Sequence, residues 1–153
     1  MIGVLLAMTL AADPLATSEV QGLSLKLPSA WSRSDTDDGV SLEEKKGDAQ
    51  LELSVFAVDP KRTPRKCMAE LKEKIGEGFE DIEVGGEPAA RKVVLDTLGE
   101  PDAGAKAAKV SSVTYVGCNG STKWVLTLSS QQSQSARFGV LIKKIISSLK
   151  YPH

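Results

Sequence analysis

Apolar and polar positions alternate along several stretches of the chain and recur at helical spacing in two others. Leu23, Leu25 and Leu27 alternate with Ser24 and Lys26, the period of a strand, and Pro28 closes it. Ser32 to Gly39 is polar, and Asp37-Asp38-Gly39 predicts a turn. Val40 to Glu43 predicts a short strand, and Gly47-Asp48 a second turn. Leu51, Leu53, Val55 and Ala57 then alternate with Glu52, Ser54 and Phe56. The first third therefore predicts a β-meander of about three strands.

Asp59-Pro60 interrupts that pattern. Thr63-Pro64 has the chemistry of an N-cap followed by proline at the first helical position. Cys67, Met68, Leu71 and Ile75 fall on one helical face, and Gly76 or Gly78 is placed to stop the helix. Phe79 to Val84 reads as a connecting extended segment, and Gly85-Gly86-Glu87-Pro88 as a turn. Ala89 to Leu98 predicts a strand, and Gly99 to Ala105 a loose linker. Val110 to Cys118 predicts a long strand, with Val113 and Tyr115 on one face and Val116 on the other. Asn119-Gly120 is a hairpin signal, followed by alternation at Trp124, Leu126 and Leu128. Ser129 to Ser135 reads as a polar loop. Phe138, Leu141, Ile142, Ile145 and Leu149 then trace an amphipathic helix with Lys143, Lys144 and Lys150 on its other face and Pro152 as its stop.

Strands joined by short turns pair antiparallel. The order predicts an α+β fold, a central antiparallel sheet of about six strands with helices covering both faces. Residues 20–150 are expected to form a single domain. Met1 to Ala12 is uncharged and too short to span a bilayer, which takes about 20 residues. It fits a secretory signal peptide or its remnant, although no Lys or Arg precedes Lys26. The competing expectation is a buried N-terminal strand or helix.

Composition narrows the chemistry. Lys and Arg number 19 against 20 Asp and Glu, a formal charge of −1, so nucleic acid is not an expected partner. Only 3 Phe, 2 Trp and 2 Tyr are present, too few for a base-stacking platform. The 1 histidine is His153, at the end of the chain, which disfavours Ser–His and Cys–His nucleophiles and histidine metal sites. No catalytic residue, cofactor or metal is expected. Asp35, Asp37 and Asp38 precede Gly39 but lack the register of a calcium loop. Gly120-Ser121-Thr122-Lys123 lacks the order of a phosphate loop.

Cys67 sits early in the first helix and Cys118 at the end of a strand. In an exported chain such a pair predicts a disulfide closing a loop of about 50 residues. The alternative is two separate buried thiols. Charge is unevenly placed. Lys61, Arg62, Arg65, Lys66, Lys72 and Lys74 face only Glu70 and Glu73 around the first helix, and an acidic segment from Glu77 to Glu87 follows. Lys61, Arg62, Arg65 and Lys66 are the candidate protein-binding residues; a solvated helix face is the plainer alternative.

Three motifs carry a family resemblance. Gly22 to Pro28 with Ala30-Trp31 resembles the opening of the Mog1/PsbP-like superfamily, a strand, a proline and a following tryptophan. Gly85-Gly86-Glu87-Pro88-Ala89-Ala90-Arg91 resembles its turn into a strand, and Lys123 to Ser130 with the Phe138 helix its closing strand and helix. The resemblance implies a three-layer α/β/α sandwich. Members include an extrinsic photosystem subunit, a nuclear Ran-binding factor, bacterial envelope proteins and chaperones for secreted effectors, which implies a non-enzymatic binding role. With the leader, the expectation is an exported protein-binding or assembly module of a bacterial envelope, periplasmic or secreted, without a transmembrane span. The alternative is a cytoplasmic chaperone or regulator of a protein partner.

Overall fold

The structure is a computed structural model that describes residues 13–98 and 108–152. The expected leader and the whole of the expected Gly99–Ala105 linker lie outside the described residues, as does His153. The elements in order are β1 (Leu15–Val20), β2 (Leu23–Pro28), β3 (Ser32–Asp35), β4 (Gly39–Glu43), β5 (Ala49–Ala57), α1 (Pro64–Ile75), β6 (Glu80–Val84), β7 (Glu87–Leu98), β8 (Ala108–Cys118), β9 (Thr122–Gln131) and α2 (Ser135–Ser147). The fold is α+β. A 7-stranded antiparallel sheet runs β3-β4-β5-β9-β8-β7-β6, and β1 and β2 form a separate 2-stranded sheet.

The expected three-strand meander is thus redistributed. Leu23, Leu25 and Leu27 do alternate in β2, but β2 pairs with β1, in register from Val20↔Leu23 to Leu15↔Pro28. Gln21 and Gly22 close that hairpin with φ of 51° and 86°, the positive values a tight two-residue turn requires. β3 occupies the polar stretch, fully exposed at the sheet's edge. Its Arg33 and Asp35 suit an edge, since charge there discourages pairing with another chain. β6, expected to be a connector, pairs with β7 from Val84↔Glu87 to Glu80↔Arg91 and forms the other edge. The sheet therefore has one more strand than expected.

The β8–β9 hairpin forms where Asn119-Gly120 placed it, and the Asn119 side-chain oxygen accepts the N–H groups of Ser121 and Thr122 at 2.9 and 2.8 Å. β9 extends to Gln131 into the expected polar loop, and a 3-10 turn, Gln132–Gln134, leads into α2. α2 ends at Ser147, before Pro152, because the chain leaves the helix to pair with β2: Ser24 and Lys150 exchange backbone hydrogen bonds at 2.9 and 2.7 Å.

Buried apolar side chains form two clusters. The larger joins Leu23, Leu25 and Leu27 of β2, Leu51, Leu53 and Val55 of β5, Tyr115, Trp124, Leu126 and Leu128 of β8 and β9, and Phe138, Leu141, Ile142 and Ile145 of α2. Trp31 meets Phe138 edge to face, with ring centroids 5.9 Å apart. The smaller cluster joins Cys67 and Met68 of α1 to Ala90, Val116 and Cys118, with Leu71, Ile75 and Val125 at its margin. β8 and β9 contribute alternate residues to the two, as the strand period requires.

Candidate functional site

The start of α1 carries the basic run Lys61–Lys66 and is fixed by a cap, a disulfide and backbone contacts. Thr63 caps the helix, its hydroxyl accepting the Lys66 N–H at 3.2 Å, and Pro64 opens it. Such a cap contributes about 1 kcal/mol. Lys72 and Lys74 occupy the last turn, where the helix dipole favours cations, and Gly76 ends the helix with φ 85°. Cys67 and Cys118 form a disulfide with their Cα atoms 6.0 Å apart. Both cysteines are buried, so the bond staples α1 to the end of β8 from the inside.

The backbone adds a second clamp. The Arg62 N–H donates to the Gly120 carbonyl at 2.9 Å, and the Val58 N–H to that of Ser121 at 2.8 Å. Gly120 has φ 95°, and a Cβ there would run into the Arg62 carbonyl. The glycine of the hairpin signal is therefore also what lets the hairpin tip touch the entry to α1.

The four candidate residues are brought together at that entry but do not behave alike. Lys61, Arg65 and Lys66 are exposed. Arg62 is tethered: its Nε donates to Glu70 Oε1 at 3.3 Å and its terminal nitrogen to the Pro60 carbonyl at 2.8 Å. Arg65 alone of the four lines a groove of about 740 Å³ between α1 and the β6–β7 hairpin, with Met68, Lys72, Asp81 and Glu83. The charge segregation seen in sequence is partly cancelled in space. Lys72 pairs with Asp81, and Arg91 lies 3.9 Å from Glu80. The acidic strand β6 folds back on the basic helix, and β7 supplies a further cation.

Two polar assemblies had no strong sequence signal. Arg137 of α2 lies 3.2 Å from both Asp13 carboxylate oxygens and 3.3 Å from Glu44 Oε2. Glu44 is buried and its carboxylate accepts no hydrogen bond among the described residues, so the guanidinium charge is its compensation. The three residues are far apart in sequence. Tyr151 accepts a hydrogen bond from the Trp124 indole N–H at 2.8 Å. Burial pushes its phenol from 10.0 up to about 12, opposed by that hydrogen bond and reinforced by the Glu87 carboxylate. No described helix is long and apolar enough to cross a membrane.

No family model matches the chain. No curated protein matches it. Solved structures do. A Bacteroides thetaiotaomicron protein is similar at a TM-score of 0.66 and 14% identity, over 93% of this chain and 49% of that one, so the chain spans about half its length. The Ran-binding protein Mog1p of Saccharomyces cerevisiae is similar at a TM-score of 0.56 and 10% identity, over 89% of this chain and 94% of Mog1p. Cyanobacterial PsbP from Synechocystis is similar at a TM-score of 0.50 and 12% identity, over 94% of this chain and 95% of that one. The fold is Mog1/PsbP-like, as the three sequence motifs implied.

Proposed function

We propose that this protein is a non-enzymatic module that binds another protein outside the cytoplasm, in the periplasm or secreted, with residues 20–150 as its single domain. The disulfide that anchors the basic start of α1 carries the proposal. Disulfides persist in oxidising compartments, and this one holds Lys61, Arg65 and Lys66 on a rigid, exposed turn. Mog1p is a Ran-binding protein, so a protein-binding role on this fold has a precedent. α1 packs on Val116 and Cys118, and α2 on Tyr115 and Trp124. Neighbours along one strand point to opposite faces, which supports a three-layer sandwich with a helix on each face.

Arg62 serves mainly to set the turn, because Glu70 and Pro60 hold its guanidinium. The contact surface is then Lys61, Arg65 and Lys66. Native envelope extract passed over the immobilised protein is expected to yield a partner that binds about ten-fold more weakly to the Arg65→Glu, Lys66→Glu variant. Equal affinity would remove this surface. Alkylation of the denatured protein without reduction is expected to label neither cysteine. Two labelled thiols would replace export with the cytoplasmic chaperone or regulator.

A further inference from the structure

A second groove, of about 710 Å³, lies between α2 and the β1–β2 hairpin. Its volume is within the range of binding pockets, roughly 300–1,000 Å³. Leu15 and Val140 give it apolar surface, and Val140 is 57% exposed. Lys26, Lys143, Lys144 and Lys150 line it, and no carboxylate does. All four lysines are exposed, and none is in an ion pair among the described residues. The nearest acidic position in register is Glu19, opposite Ser24 on β1 and outside the lining.

The two walls are fastened along their seam. The Lys26 N–H donates to the Ser148 hydroxyl at 2.7 Å, beside the Ser24–Lys150 backbone pair. The groove is therefore a fixed feature of the fold. It differs from the α1 face, where Arg62 and Lys72 are already matched by Glu70 and Asp81. Four unmatched ammonium groups around one cleft repel each other, and carboxylates entering it would relieve that repulsion.

We propose that this groove docks an extended, acidic segment of a protein partner, apolar side chains against Leu15 and Val140 and carboxylates on the lysines. This rests on the protein being a binding module but uses a surface separate from α1. Nucleic acid fits less well, because the chain carries a formal charge of −1 and the groove has no arginine to grip phosphate bidentately. A membrane surface also fits less well. The cations surround a cleft, and both tryptophans, the usual interfacial anchors, are buried.

The test uses the full chain and a short fluorescein-labelled peptide alternating Glu and Leu, followed by anisotropy. Saturable binding is expected, weakening as salt is raised. The Lys143→Glu, Lys144→Glu variant should bind about ten-fold more weakly. Lys26→Glu, on the opposite wall, should weaken binding in the same direction and keeps the test decisive if the helix variant loses its circular dichroism. Arg65→Glu, Lys66→Glu should leave peptide binding unchanged, which separates this groove from the α1 surface. Absent binding, or binding indifferent to both groove variants, would overturn the proposal. Sedimentation with phosphatidylserine vesicles in place of peptide binding would overturn it in favour of a lipid surface.

Discussion

The two helices are nearly equal in length, 12 residues in α1 and 13 in α2, yet they are attached in different ways. α2 buries Phe138, Leu141, Ile142, Ile145 and Ile146, whereas α1 buries only Cys67 and Met68. Full burial of a large apolar side chain contributes roughly 1.5–3 kcal/mol, so α2 is held by its own apolar face. α1 has too small a face for that. A covalent bond, a capped first turn and backbone contacts to the Gly120 hairpin hold it instead. A helix with a small buried face keeps more of its surface for charged side chains, and here those are the candidate contact residues.

The largest effect expected on this contrast comes from the α2 side. Phe138→Ala should lower stability by about 4 kcal/mol, read as a shift in the urea midpoint, because it empties a buried ring site beside Trp31. A loss below about 1 kcal/mol would mean that burial does not hold α2. Replacing Cys67 and Cys118 together by Ala should cost about 3 kcal/mol. The more telling readout is amide exchange: protection should fall first in α1 while β5 and β9 keep theirs. Uniform loss across both helices would erase the contrast.

The smallest effect expected is a pH dependence at Tyr151. Its folded pKa is raised, so the neutral phenol is favoured in the native state. That contribution is complete below the unfolded value of 10.0 and is lost as pH rises through the folded value of about 12. Thermal midpoints should therefore decline over that alkaline interval, and Tyr151→Phe should flatten the decline. An unchanged slope would assign the alkaline loss to other groups.

What was legible in the sequence was local. The Thr63-Pro64 cap, the Asn119-Gly120 hairpin and the α2 period each depend on neighbours within a few residues, and each appears as expected. β3 and β6 were not legible as strands. β3 is exposed on both faces, so its residues carry no alternation. β6 is acidic, with Val84 alone fully buried. The candidate site was half legible. The basic run at Lys61–Lys66 showed in the sequence, but not that Glu70 and Pro60 hold Arg62. Lys143, Lys144 and Lys150 showed as a polar helix face, but Lys26 is distant in sequence and joins them only through β2.

The sequence by itself determined the periods, the caps, the turns and the uneven charge, because steric preference and local hydrogen bonding set these over short spans. Its three motifs also carried the likeness to the Mog1/PsbP-like fold. Tertiary structure alone decided which distant segments meet. β5 pairs with β9 from Ala49↔Ser130 to Ala57↔Thr122 across the intervening helix and strands. β2 leaves the main sheet for β1. Asp13, Glu44 and Arg137 converge, and four lysines from β2, α2 and the segment after α2 line one groove. Such meetings depend on burying the apolar faces of the whole chain at once, and local preference does not encode which distant face each segment will find.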